Sequence, residues 1–231
     1  MELSKRLQAV ADLVTPGLKV ADIGTDHGYI PIWLMEHKKA SFAVAMDINK
    51  GPLEKARENI RLHGLTSYIE TRLSDGMKNL KAGEAESVVI AGMGGGLVMK
   101  ILEDVKGKSL GIREWILQPQ SEIQKVRTYL RESGYCIVAE DMVLDEGKFY
   151  PMMKVIKGEP ELYSEAELCY GKILLKNRNK VLEEFLKKEL DIKTEIRNRL
   201  QNSDGENISR RKAELTKEIE LIREALKVYA L

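Results

Sequence analysis

Val20-Ala21-Asp22-Ile23-Gly24-Thr25-Asp26-His27-Gly28-Tyr29 is the stretch that sets the fold class. An apolar run over residues 18–23 ends in a turn rich in Gly and Asp. A helix-like segment follows, with Pro31 near its start, where a missing N–H costs little. Strand, turn and helix in that order make the first crossover of an open α/β sheet, whose ligands bind at the carboxyl edge. Gly24 and Gly28 lack the side chains that would hold a ligand off the backbone, and Asp22 offers a carboxylate beside them.

Outward from that turn, strand-like and helix-like stretches alternate up to about residue 156. Residues 3–14 read as an amphipathic helix with Leu3, Leu7, Val10 and Val14 on one face, stopped by Thr15-Pro16-Gly17. Strands are expected over 41–48, 67–73, 87–91 and 115–118, and helices over 52–63, 97–105 and 122–133. Gly64 is the expected left-handed cap of the second of the chain's helices after the turn. Residues 135–143 and 150–156 read as a closing hairpin with no helix between them. Strands alternating with helices argue a mainly parallel sheet, and the hairpin puts an antiparallel element at one edge.

The pattern changes after Gly158-Glu159-Pro160. From Ser164 onward the chain is charged and periodic at helical spacing. Leu168, Leu175, Leu182, Leu186 and Leu190 recur at sevens and fours, and Ile208, Leu215, Ile219, Ile222 and Leu226 continue the theme. Gln201-Asn202-Ser203-Asp204-Gly205 interrupts it. The expectation is two domains, 1–158 and 159–231, the second an antiparallel, coiled-coil-like helical hairpin. From Glu159 on, basic and acidic residues number fifteen each. A solvated helical hairpin is the plain reading of that balance; RNA contact or assembly is the functional one.

With 231 residues the chain can bury the core of a full domain with length to spare. Its net charge of +1 gives no global basic field, although charge can be local. Cys136 and Cys169 share no ligand-like spacing with His27, His37 or His63, so no metal site is expected and reduced thiols are. There is no signal-type apolar core near residue 1 and no run long enough to span a bilayer. A soluble cytoplasmic protein without a membrane partner is expected, working as a monomer or weak dimer.

Two cofactor classes compete for the opening turn. A dinucleotide site wants G-x-G-x-x-G with pyrophosphate on the helix N-terminus. This chain has Gly24-Thr25-Asp26-His27-Gly28, and Asp22 and Asp26 carry the wrong charge for a pyrophosphate. S-adenosylmethionine, with an ammonium, a sulfonium and no phosphate, suits them better. Asp47 ends the second strand, where a carboxylate can take both ribose hydroxyls; a helix cap is its plainer role. Asp75, in Leu73-Ser74-Asp75-Gly76, can accept from an adenine amino group. The fourth strand runs into Ala91-Gly92-Met93-Gly94-Gly95-Gly96, glycine-rich but without the ending of a phosphate loop. The candidate cofactor set is Asp22, Gly24, Thr25, Asp26, Gly28, Asp47, Ile48, Asp75, Gly76, Ala91, Gly92 and Met93.

The chain resembles the class I S-adenosylmethionine-dependent methyltransferases, and more closely the bacterial tRNA (adenine-22-N1)-methyltransferases, the TrmK family. The resemblance rests on Leu3-Ser4-Lys5-Arg6-Leu7, Asp22-Ile23-Gly24-Thr25-Asp26-His27-Gly28-Tyr29-Ile30-Pro31 and Ala91-Gly92-Met93-Gly94-Gly95. It continues in Leu117-Gln118-Pro119-Gln120-Ser121 and Glu146-Gly147-Lys148-Phe149-Tyr150, and covers nearly the whole chain. It implies a Rossmann-like α/β fold, S-adenosylmethionine as cofactor, tRNA as partner and N1 of adenine 22 as the methyl acceptor. Asp26 departs from the wider class, where glycine is common. The Asn/Asp-Pro-Pro-Tyr loop of many amino-group methyltransferases is missing, which fits attack by a ring nitrogen.

Adenine N1 has an in-plane lone pair and needs no strong base. Positioning then carries the reaction, and it can supply roughly 7–11 kcal/mol of the barrier. Charge moves onto the adenine, so a carboxylate near the ring helps, and Asp26 is the first candidate. Asp26 equally suits binding the cofactor or orienting His27. His27 and Tyr29 complete the candidate catalytic set, His27 as a contact to cofactor or base and Tyr29 as a stacking platform; their plain readings are a satisfied helix-start residue and a sheet-packing ring. Gly94, Gln118, Gln120 and Tyr150 are candidates to line the entry for the base. Arg210, Arg211 and Lys212 form the densest basic cluster and, with Lys5, Arg6, Lys38, Lys39, Lys78, Lys81 and Lys148, are candidate phosphate contacts. A small-molecule methyltransferase and a non-catalytic cofactor-binding scaffold are the rival readings, and a dehydrogenase the weakest.

Overall fold

The computed structural model describes residues 1–159, 161–201 and 205–230, so Pro160 and residues 202–204 of the expected interruptions lie outside it. Two compact units divide the chain, Met1–Glu161 and Leu162–Leu231.

The first unit begins with α1 (Lys5–Leu13), β1 (Leu18–Ile23), α2 (Tyr29–Glu36), β2 (Ala40–Asp47), α3 (Lys50–Leu62) and β3 (Ile69–Leu73). It continues with β4 (Ser87–Met93), α4 (Gly95–Asp104), β5 (Glu114–Pro119), α5 (Ile123–Glu132), β6 (Tyr135–Asp145) and β7 (Lys148–Lys157). Seven strands form one sheet in the order β3-β2-β1-β4-β5-β7-β6. The pairs among β1, β2, β3, β4 and β5 are parallel, and β7 runs antiparallel to both β5 and β6. The antiparallel element therefore lies at one end of the sheet, with β7 inserted between β5 and the outermost β6. This is the Rossmann-like methyltransferase arrangement.

Parallel strands covered by helices on both faces are buried over most of their length, which is why β1 and β4 read as mainly apolar runs. Val20, Ala21, Val88, Val89 and Ile90 have no exposure at all. Ser4 opens α1 by accepting a hydrogen bond from the Leu7 N–H. The expected left-handed Gly64 closes α3 at φ 68°. Pro52 is the third residue of α3 rather than its first. Its missing N–H falls among the donors a helix start leaves without an intrahelical partner.

Two buried ion pairs tie the layers together. Glu114, at the start of β5, accepts from the Thr15 N–H at 2.9 Å and the Ser87 hydroxyl at 2.9 Å, and pairs with Lys154 of β7 at 2.8 Å. Burial pushes its carboxyl up, but the bonds from Lys154, Thr15 and Ser87 outweigh it and hold it below the usual range. Arg127 of α5 meets Glu140 of β6 at 2.9 Å, each side chain 1% exposed.

In the second unit α6 (Glu165–Tyr170) opens on a capping box between Ser164 and Glu167. Then come α7 (Lys172–Lys176), α8 (Lys180–Arg199), α9 (Glu206–Leu226) and a 3₁₀ turn, Lys227–Tyr229. Lys212 reaches the Gln201 carbonyl, Lys193 meets Glu218, and the Tyr229 hydroxyl donates to the Asn179 carbonyl. Partners that rise on one helix as they fall on the other make α8 and α9 antiparallel. Leu182, Leu186, Leu215, Ile219, Ile222 and Ala225 are buried. The apolar repeat from Leu168 to Leu190 is not one helix. Gly171 at φ 99° and Arg178 at φ 49° interrupt it, and Asn179 recaps the chain through bonds from the Val181 and Leu182 N–H groups. None of the helices among the described residues is long and apolar enough to cross a membrane.

Candidate active site

The carboxyl ends of β1, β2 and β4 carry the acidic and glycine residues of the opening motif to one edge of the sheet. After β1 the chain turns through left-handed backbone at Gly24 (φ 73°), His27 (φ 57°) and Gly28 (φ 72°). The Gly24 and Thr25 N–H groups both donate to the Met46 carbonyl of β2 at 2.8 Å. The Asn59 side chain of α3 donates to the His27 carbonyl at 2.9 Å, which pins the strained residue. A Cβ on Gly24 would lie 2.1 Å from the Met93 side chain, so the turn and the end of β4 press together there.

A cleft of about 360 Å³ opens at this edge, lined by Arg6, Leu7, Asp22, Gly24, Asp26, Tyr29, Ile30, Asp47, Ala91, Gly92, Met93 and Gln120. Asp22 is 4% exposed. Burial, and then the nearby Asp26 and Asp47 carboxylates, push its pKa up to about 6. Thr25 lies beside it and opposes the rise, yet its buried hydroxyl makes no hydrogen bond of normal geometry among the described residues. Asp47 accepts from the Asn49 N–H through one oxygen at 2.6 Å. Asp26, with a side chain 72% exposed, faces His27 Nε2 at 3.3 Å. The His27 ring stacks on Tyr29, centroids 5.2 Å apart and planes 11° apart.

The β4 loop is held from below. Gly92, at φ 79°, donates its N–H to the Gln118 side-chain oxygen at 3.0 Å, and Arg6 donates to the same oxygen at 3.2 Å. Gln118 is wholly buried. Arg6 also lies over the Tyr150 ring, 5.6 Å from its centroid. Gly95 opens α4 against the segment after β5, where a Cβ would come 2.5 Å from the Ser121 carbonyl oxygen.

The remaining candidates do not line this cleft. Gly28 faces Ala56, 3.4 Å from where its Cβ would be, and so admits α3 rather than a ligand. Ile48 is 60% exposed, one residue beyond Asp47. Asp75 pairs with Lys78 at the surface, which holds its carboxyl below the usual range. Gly76 packs on Ile101, and Gly94 is the extended cap of α4. Arg210, Arg211 and Lys212 belong to the second unit, where Arg210 meets Glu214, Arg211 meets Glu214 and Glu218, and Lys212 reaches the Gln201 carbonyl. Sequence reasoning did not place Arg6, Leu7 or Ile30 at the cofactor cleft. Leu3-Ser4-Lys5-Arg6-Leu7 stands out as a stretch, but its approach to β4 and β5 depends on contacts such as Arg6 to Gln118, 112 residues apart.

These residues suit S-adenosylmethionine. Asp22, Asp26 and Asp47 face one guanidinium across the cleft, a balance that favours a cationic ligand and disfavours a pyrophosphate. The side-chain-free surfaces of Gly24 and Gly92, both lining the cleft, suit a ligand pressed against the backbone.

A family model described as tRNA (adenine(22)-N(1))-methyltransferase matches residues 20–224. The tRNA (adenine(22)-N(1))-methyltransferase of Bacillus subtilis strain 168 is 35% identical over 235 residues, spanning 98% of both chains. The structure of Streptococcus pneumoniae Sp1610 with S-adenosyl-L-methionine superposes with a TM-score of 0.86 at 32% identity, covering 97% of this chain and 100% of that one. The structure of M. capricolum TrmK with S-adenosyl-homocysteine gives a TM-score of 0.85 at 29% identity, with 99% of each chain covered.

Proposed function

The chain belongs to the tRNA (adenine(22)-N(1))-methyltransferase family, and on that premise we propose that it methylates N1 of adenine 22 in tRNA, using S-adenosylmethionine. The observation that carries the reading is the meeting of Asp22, Asp26 and Asp47 with the Gly92 loop in one cleft at the carboxyl edge. S-adenosylmethionine, when bound, supplies a methyl group made electrophilic by a sulfonium.

The protein's part is to hold, orient and stabilise. Asp47 takes the ribose hydroxyls through the oxygen left by Asn49, and Asp22 faces the cationic amino-acid end. Gly24 and Gly92 let the backbone come close. The target adenine must leave its stack to present N1, at a cost of roughly a few kcal/mol. Tyr29, backed by the His27 ring, offers the extruded base a flat apolar face at the cleft. N1 attacks through its own lone pair, so no residue need remove a proton before transfer. As the ring becomes cationic, Asp26 at the cleft mouth stabilises it, and the contact to His27 keeps that carboxylate oriented. Arg210, Arg211 and Lys212 stay as proposed tRNA contacts, where a phosphate has to compete with their present partners.

Nucleoside mass spectrometry tests the reaction. Unmodified tRNA bearing A22 is expected to yield 1-methyladenosine, and the same tRNA bearing G22 none. Methylation elsewhere, or on free nucleosides alone, overturns the assignment. Asp26→Asn is expected to lower kcat on the order of 100-fold while changing cofactor affinity by no more than about threefold. A variant that loses cofactor binding instead would move Asp26 from the base to the cofactor.

A further inference from the structure

Among the described residues Arg6 is the one cation lining the cleft, and its guanidinium has no carboxylate partner. Arg72, Arg127 and Arg211, by contrast, are each matched to a glutamate. The Arg6 guanidinium spends one N–H on Gln118 and rests on Tyr150, and its Nε and Nη2 donate to no described protein group. A half-buried guanidinium fixed in place with its remaining donors turned to no protein acceptor is built to receive an anion.

The sheet order says which anion. Across the carboxyl edge Asp47 ends β2, Asp22 lies in β1, Gly92 lies near the end of β4, and Arg6 is bonded to Gln118 near the end of β5. Three strand spacings separate the two extremes, roughly 14 Å. A cofactor with its ribose at Asp47 then extends over β1 and β4 and delivers its amino-acid end toward Arg6. That end bears the cofactor's only anionic group. Arg6 shares its Gln118 acceptor with the Gly92 N–H, so its guanidinium is held beside the glycine loop that lines the cleft.

We propose that Arg6 receives the carboxylate of S-adenosylmethionine, and that this contact makes the cleft select the intact amino acid over decarboxylated S-adenosylmethionine. Gln118 is then a positioning residue, since one buried oxygen fixes both the guanidinium and the Gly92 N–H. The proposal rests on the cofactor reading given above.

Calorimetry on the full chain with the two cofactor forms tests it. Wild-type protein is expected to bind S-adenosylmethionine on the order of 10- to 100-fold more tightly than the decarboxylated form. Arg6→Met is expected to bind S-adenosylmethionine as weakly as the decarboxylated form and to leave affinity for the latter unchanged. Arg6→Lys, which keeps charge and bulk, is expected to retain part of the preference. Equal weakening of both forms in both variants overturns the proposal in favour of a purely structural role. Unchanged cofactor affinities with a raised KM for tRNA overturn it too, and give Arg6 to an RNA phosphate. Wild-type protein that binds neither form overturns the cofactor reading and this proposal with it; binding by the wild type with no preference overturns the proposal alone.

Discussion

Asp22→Asn is expected to make the cofactor-free protein more stable above pH 6 and to weaken S-adenosylmethionine binding on the order of 10- to 100-fold at pH 7.5. Both effects have one cause. Asp22 is buried beside two other carboxylates, and its pKa stands at about 6 against an ordinary 3.8. A raised carboxyl pKa means that the folded chain holds the proton more tightly than the unfolded one. The favourable contribution is present below about pH 4 and is lost as pH rises through about 6. At pH 7.5 the ionised group costs about 3 kcal/mol, which the amide does not. A cationic ligand reverses the balance by neutralising the carboxylate. Wild-type affinity should therefore rise as pH climbs through 6, whereas that of the amide variant stays flat. Thermal unfolding without ligand and calorimetry between pH 5 and 8 read the two halves. A variant less stable than wild type at pH 7.5, or one whose affinity keeps the wild-type pH dependence, would falsify the account.

Arg127→Met should be the most damaging single change away from the cleft. Its partner Glu140 would be left charged inside the protein, with both side chains of the pair 1% exposed. Breaking such a pair costs about 3–5 kcal/mol, because the remaining charge loses its counter-charge away from water. The double variant Arg127→Met/Glu140→Leu should recover most of that loss. Urea unfolding followed by tryptophan fluorescence is the suitable measurement. Trp33 and Trp115, the chain's two tryptophans, both lie in the first unit, so the signal ignores the second. A single variant within about 1 kcal/mol of wild type would show that water reaches Glu140.

What the amino-acid order reveals follows from how locally each feature is determined. Parallel strands announce themselves because both faces are covered, so β1, β2 and β4 stand out as apolar runs. A carboxylate next to a strand end belongs at the sheet edge by its position in the chain alone, and Asp22, Asp26 and Asp47 do meet in the cleft. Asp75 has the same signature, yet Lys78 three residues later captures it at the surface. Gly28 is as conspicuous as Gly24, but it serves the packing of α2 on α3. The helix breaks in the second unit are hidden because leucines keep their spacing straight across Gly171 and Arg178. Arg6 and Gln118 are each visible, but not as a pair, since nothing short-range couples residues 112 positions apart.

The seat of α1 bears on how the protein is made. The Arg6 N–H donates to the Asp145 carboxylate at 3.0 Å across 139 residues, and the Arg6 guanidinium rests on Tyr150. Ribosomal synthesis delivers the first helix long before the hairpin that receives it. Until Tyr150 has left the exit tunnel, α1 lacks that seat and the cleft lacks one wall. S-adenosylmethionine cannot stabilise a nascent chain through that wall; a ligand added during translation would protect from proteolysis only chains that have passed this point.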